Sequence, residues 1–132
     1  MAKLEDLRKY YWLKKEVERL EEKLLEIDTE LQHITMRYTI NYTKGGTKDK
    51  LGDLITKKVM LEEKINKRLE ESYRILAEIE EVIKALEPRE RYLIRLRYLE
   101  NKNWFEISGI MNYSIRHLKR INKKIINEYF ND

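Results

Sequence analysis

The chain has 132 residues, with 28 Lys or Arg against 24 Asp or Glu, so its formal net charge is +4. It has no cysteine, which excludes disulfides and thiolate metal sites and favours a cytoplasmic location. The N-terminus does not look like a signal peptide, and the longest run without a charged residue, 107–115, is far too short to cross a bilayer, so we expect no membrane association.

A stripe of apolar residues at alternating steps of three and four predicts a first long helix. Its members, here called the first seam, are Tyr10, Leu13, Val17, Leu20, Leu24, Ile27, Leu31 and Ile34. That 3.5-residue period places all of them on one face and favours a left-handed supercoil against a partner helix. Lys and Glu residues between them form the solvated face. The pattern therefore predicts a coiled-coil helix.

The next segment is predicted to reverse the chain. Residues 35–50 are rich in Thr and Asn and contain Gly45-Gly46, which predicts a loop. A second long helix is predicted from about Leu51 to Leu86. Its apolar stripe, the second seam, consists of Leu51, Ile55, Ile65, Leu69, Leu76, Ile79, Ile83 and Leu86. Two long helices joined by this loop predict an antiparallel coiled-coil hairpin over 1–87.

The second helix carries more apolar residues than its seam requires. The residues off the seam include Leu54, Val59, Leu61 and Val82. This surplus predicts a homodimer that forms through the long helices. The sequence leaves open whether the seams close within one chain, between chains, or both.

Pro88 is the only proline of the chain. Proline fits the first turn of a helix but not its interior, because it lacks the backbone N–H and clashes with the preceding turn. The second helix should therefore end near Glu87, and a new helix is predicted over 88–100. It would support two shorter helices, so that residues 88–132 form a separate trihelical domain.

The two shorter helices are predicted over 103–111 and 114–130. Residues that favour helix ends mark their limits: Asn103 with Glu106 as a capping box, Asn112, and Ser114. Apolar residues at helical spacing give each helix an inner face: Trp104, Ile107, Met111, Leu118, Ile121 and Ile125. Two short helices joined by about three residues are typical of the helix-turn-helix, which places its second helix in the DNA major groove.

Positive charge is concentrated in this part of the chain. Residues 88–132 hold ten basic and five acidic residues, whereas residues 1–87 hold 18 and 19. This asymmetry favours double-stranded DNA as the partner. The residues predicted to contact bases are Ser114, Ile115, Arg116, Lys119 and Arg120. Those predicted to contact phosphates are His117, Lys123, Lys124 and Lys102.

The sequence argues against catalysis. His33 and His117 are the only histidines, and nothing indicates a nucleophile beside either of them. No two-histidine metal spacing occurs. The sequence therefore predicts no enzyme, no catalytic residue, no metal and no cofactor.

The stretch PRERYLIRLRYLENKNWFEISGIMNYSIRHLKRINKKII resembles region 4 of sigma-70-type RNA polymerase sigma factors. The likeness lies in P-R-E-R before an apolar helix, in W-x-E-I, in Ser108, and in the turn into a Ser-capped basic helix. Over most of its length the chain is similar to phage and prophage transcriptional regulators of the RinA and ArpU type, with Asn112 where their turn usually has Gly. The resemblance implies activation of late phage genes at promoter DNA, with RNA polymerase as a further partner.

A second class of function stays open on the sequence alone. The long helices could be the interaction region of an assembly or interaction factor, such as a polymerase-binding protein or a small terminase subunit. Small terminase subunits typically carry their DNA-binding domain first, whereas here it comes last, which counts against that variant. The sequence specifies neither an operator nor whether regulation is positive or negative.

Overall fold

The structure, a computed structural model, describes residues 2–41 and 45–130. Within these ranges all regular elements are helices, so the prediction of an all-α protein is confirmed. They are α1 (Leu4–Asn41), α2 (Gly45–Ile83), α3 (Pro88–Ile94), a π-helical turn (Arg95–Leu99) that continues α3, α4 (Trp104–Met111) and α5 (Ile115–Tyr129). No helix of the described residues is long and apolar enough to cross a membrane.

The predicted loop over 35–50 is wrong in extent. α1 continues to Asn41 and α2 already begins at Gly45, while 42–44 lie outside the described residues. Thr and Asn each disfavour a helix by at most about 0.7 kcal/mol relative to Ala, which is too little to stop a helix that is already growing. Gly45 and Gly46 lie in the first turn of α2, where backbone N–H groups have no partner within the helix in any case.

The chain divides into two compact units. The long-helix unit is Lys15–Glu70, and the head unit combines Met1–Lys14 with Glu71–Asp132. The sequence suggested a division at residues 87 and 88. By its contacts, the head unit instead includes one end of each long helix.

In the long-helix unit, α1 and α2 run antiparallel. Three ion pairs join them in opposite order along the two helices: Glu16–Arg68 at 3.2 Å, Asp28–Lys58 at 2.9 Å and Glu30–Lys50 at 3.6 Å. The hydrogen bond from Lys58 to Asp28, together with the carboxylate charge, raises the pKa of the lysine. An apolar core lies between the helices and contains Val17, Leu20 and Ile65, with Leu24, Leu61 and Leu69 partly buried around it.

The first seam is confirmed, since all eight of its side chains are buried or half-buried. The second seam is wrong at Ile55, which is 48% exposed, whereas its neighbour Leu54 is 6% exposed. Leu61 and Val82, assigned to the surplus, pack against the apolar cores, so only Val59 of that surplus is exposed. A straight helix drifts by about 20° per heptad relative to a 3.5-residue repeat, so adjacent apolar positions exchange roles along a long helix.

The head unit has a core to which every helix contributes. Its most deeply buried residues are Leu7 from α1, Ile75, Ile79 and Ile83 from α2, Leu93 and Ile94 from α3, Ile107 from α4, and Leu118 and Ile125 from α5. The backbone N–H of Leu4 donates to the carbonyl of Phe130 at 3.2 Å, so the start of α1 lies beside the end of α5. The three C-terminal helices therefore share their core with both long helices.

The predicted start of α3 at Pro88 is confirmed. α2 ends at Ile83, and Pro88 is the first residue of α3. The backbone N–H of Glu87 donates to Oε1 of Glu90 at 3.2 Å, which satisfies a donor just outside the helix. The chain thus breaks near Glu87, although the long helix stops a few residues earlier than the proline alone indicates.

Candidate nucleic-acid interface

The turn between α3 and α4 is held by Arg97. Its guanidinium lies 4.6 Å from the centre of the Trp104 ring, and its Nη1 donates to the carbonyl of Lys102 at 3.1 Å. Asn101 adopts a positive φ of 53°, a conformation that Asn tolerates better than most residues. The charge of Arg97 therefore stabilises the turn, and the half-buried Lys102 follows directly before the cap of α4.

Both ends of α4 are fixed as the sequence predicts. The Oδ1 of Asn103 accepts from the N–H of Glu106 at 2.8 Å, and Oε1 of Glu106 accepts from the N–H of Asn103 at 3.3 Å. At the other end, Asn112 has φ 59° and ψ 36°, and its N–H donates to the carbonyl of Ser108 at 2.9 Å. The capping box and the left-handed Asn112 are confirmed.

Residues 112–114 join α4 to α5 in a turn held by two serines. The Oγ of Ser108 donates to the carbonyl of Tyr113 at 2.6 Å. The Oγ of Ser114 accepts from the N–H of His117 at 3.1 Å, which confirms Ser114 as the N-cap of α5. These bonds fix the start of α5 relative to α4.

α5 has one buried face and one basic face. Leu118 and Ile125 are at most 1% exposed in the core of the head unit. The basic face, on the opposite side, consists of the exposed residues Arg116, Lys119, Arg120, Lys123 and Lys124. At 100° per residue, the first four of these fall within an arc of about 100°, so the structure brings them together. Ile115 is exposed beside Ser114, whereas His117 is half-buried at the edge of the basic face.

The single acidic residue of α5, Glu128, lies four positions after Lys124, the last residue of the basic face. No acidic residue occurs from Ile107 to Asn127. In the part of the chain that the structure describes, no residue of the basic face makes an ion pair with a carboxylate. By contrast, Arg95 on the π-helical turn donates two hydrogen bonds of 2.7 Å to Glu80 on α2. Part of the positive charge counted from the sequence is therefore neutralised by ion pairs within the protein. The positive charge that is not paired in this way is concentrated on α5.

Sequence reasoning missed a cluster of four side chains at the start of α5. Nη2 of Arg120 lies 2.7 Å from Nδ1 of His117. The imidazole of His117 meets the ring of Tyr113 edge to face, with centroids 5.3 Å apart. The hydrogen bond between Tyr113 and Arg89 raises the pKa of Arg89. Arg89 lies on α3, far from Tyr113 along the chain, so no local spacing could have indicated the contact.

Among the described residues, no group of three or more His, Asp or Glu side chains could hold a metal ion. Comparison with protein-family models, curated proteins and solved structures gives no match.

Proposed function

We propose that the protein is a sequence-specific regulator that binds double-stranded DNA. In this proposal α4, residues 112–114 and α5 act as a helix-turn-helix, with α5 in the major groove. The observation that carries it is the basic face, which is exposed, makes no ion pair with a carboxylate among the described residues, and is backed by a buried apolar face. α5 has 15 residues and is about 22 Å long, enough to cross a groove that is about 12 Å wide.

The two kinds of cation on the basic face suit different tasks. Arg116 and Arg120 lie near the start of α5, which enters the groove in this motif, and a guanidinium can pair bidentately with guanine. Ser114 and Lys119 would contact neighbouring bases, and the exposed Ile115 suits the methyl group of thymine. Phosphate contacts are proposed for the lysines farther along or beside this end: Lys123, Lys124 and Lys102.

The wider role that we propose is transcriptional activation at phage promoters, on the strength of the resemblance to sigma region 4 and to RinA- and ArpU-type regulators. RNA polymerase would then be a second partner. We also propose a homodimer through the long helices, supported by the exposed Ile55, Val59 and Met60. Two-fold symmetry would place half-sites about 10 base pairs apart or a multiple of that. A monomer mass in light scattering at micromolar concentration would refute the dimer.

The test begins with selection of a preferred duplex from a random pool. Fluorescence anisotropy then compares that duplex with a scrambled one across a salt series. Arg116→Ala should weaken binding to the preferred duplex by about 1 to 3 kcal/mol and relax the sequence preference. Lys124→Ala should weaken binding to both duplexes alike and reduce the salt slope by about one unit.

Arg74→Ala provides the matched control. It removes another exposed guanidinium from the same compact unit, but from α2. Binding by this variant should match the wild type on both duplexes. Equal small losses for Arg116→Ala on the two duplexes would remove Arg116 from base contact. No duplex binding by the wild type at low salt would refute the DNA-binding function.

An assembly or interaction factor is the second candidate. The observation in its favour is a set of large apolar side chains exposed in the long-helix unit: Leu25, Met36, Ile55, Val59 and Met60. Such residues are costly to expose and mark surfaces that associate with other helices. If the wild type binds no duplex but forms a stable oligomer or a complex with RNA polymerase, this candidate replaces the first.

A further inference from the structure

The contact between His117 and Arg120 fixes the protonation of the imidazole. A guanidinium has only donors, so Nδ1 of His117 must accept the hydrogen bond at 2.7 Å. The proton of the neutral ring then lies on Nε2. An imidazolium, which carries protons on both nitrogens, cannot accept this bond. The contact therefore exists only while His117 is neutral.

The imidazole is itself held in place. The ring of Tyr113 contacts it edge to face, at 60° between the ring planes. The carbonyl of Tyr113 accepts from Oγ of Ser108 at 2.6 Å. The N–H of His117 donates to Oγ of Ser114, which fixes the backbone at this position. His117 is therefore positioned by the turn and not by α5 alone.

We propose that His117 is a positioning residue that holds the guanidinium of Arg120 for base recognition. This inference rests on the proposed DNA-binding function and deepens it. One edge of the Arg120 guanidinium is occupied by His117, so the other donors are presented in a restricted orientation before DNA arrives. Restricting a long side chain in advance reduces the entropy lost on binding. The contribution of His117 is thus to sequence preference rather than to charge.

The experiment uses the full chain and two variants. His117→Ala removes the acceptor, whereas His117→Asn keeps a carbonyl oxygen near the position of Nδ1. The readout is the ratio of the dissociation constants for scrambled and selected duplexes. At about pH 8, His117→Ala should lower this ratio by about three- to tenfold with an unchanged salt slope, as expected for loss of one hydrogen bond. His117→Asn should stay within about twofold of the wild type.

A measurement without DNA separates positioning from other roles. NMR signals of the Arg120 guanidinium, recorded without DNA, should show restricted rotation in the wild type that is lost in His117→Ala.

Suppose that the wild type discriminates between the selected and scrambled duplexes, and that His117→Ala has the same ratio of dissociation constants. This result would overturn the positioning role and leave the DNA-binding function standing. An unchanged ratio with a salt slope lower by about one would assign His117 to a phosphate and would also overturn it. Failure of the wild type to bind any duplex would refute the proposed function and the positioning role with it.

Discussion

Replacement of Ser114 separates the stability of α5 from its affinity for DNA. Its Oγ accepts from the N–H of His117 at 3.1 Å, so Ser114→Ala leaves a helix N–H without its partner. Loss of an N-cap costs about 0.5 to 2 kcal/mol, and because water reaches this exposed turn we expect about 1 kcal/mol. For a chain of 132 residues that loss corresponds to a Tm about 3 to 5 °C lower.

Ser114→Asp should keep the stability of the protein but weaken its binding to DNA. The carboxylate keeps the hydrogen-bond acceptor and interacts favourably with the positive end of the helix dipole, so Tm should match or exceed that of the wild type. Under the proposed function, the same carboxylate lies beside DNA phosphates, and duplex affinity should fall about tenfold or more. Ser114→Ala stays folded at room temperature, and the loss of one hydroxyl contact to a base should lower affinity by less than this, about two- to tenfold.

Thermal circular dichroism and anisotropy at fixed salt measure the two quantities separately. Asn103→Ala is the control for capping, because Oδ1 of Asn103 accepts an N–H at the start of α4 in the same way. It should lower Tm by a similar amount. An unchanged Tm in Ser114→Ala would refute the capping argument. Wild-type affinity in Ser114→Asp would refute the placement of this end of α5 against DNA.

Three further predictions concern the fold of the head unit. Leu118→Ala should lower the free energy of unfolding by about 2 to 5 kcal/mol in urea titration, since the side chain is fully buried. Asn112→Ala should cost about 1 to 2 kcal/mol in the same assay, because alanine resists the left-handed backbone, whereas Asn112→Gly should cost less. A fragment of residues 88–132 should not unfold cooperatively in a circular dichroism melt, because the core contributed by α1 and α2 is missing; a sharp thermal transition would contradict this.

The features predicted correctly from sequence depend on short-range chemistry. A capping box, a left-handed residue at a helix end and a proline at a helix start each involve groups within four positions of one another. Asn103, Asn112 and Pro88 therefore mark the helix ends in the sequence as they do in the structure. The same holds for the basic face, because helical periodicity alone places its members opposite Leu118 and Ile125.

The features that were missed depend on contacts between distant segments. The register of α2 against α1 determines whether Leu54 or Ile55 lies on the apolar face of α2. The sequence pattern does not reveal this register, because both residues are apolar. Likewise, the pairing of the Leu4 N–H with the Phe130 carbonyl and the contact of Arg89 with Tyr113 join residues that no local period relates. Tertiary packing decides each of these.

The shared core also has a consequence for recognition under the proposed function. Leu118 and Ile125 on α5 pack in the same core as Ile79 and Ile83 on α2. A change in the packing of α2 would therefore tilt the basic face without removing any of its charges. The salt dependence of binding reflects how many phosphates are neutralised, whereas base discrimination depends on the direction of hydrogen bonds. Since a tilt alters direction and preserves charge, under the proposed function the packing of α2 would control sequence preference more strongly than affinity for DNA in general.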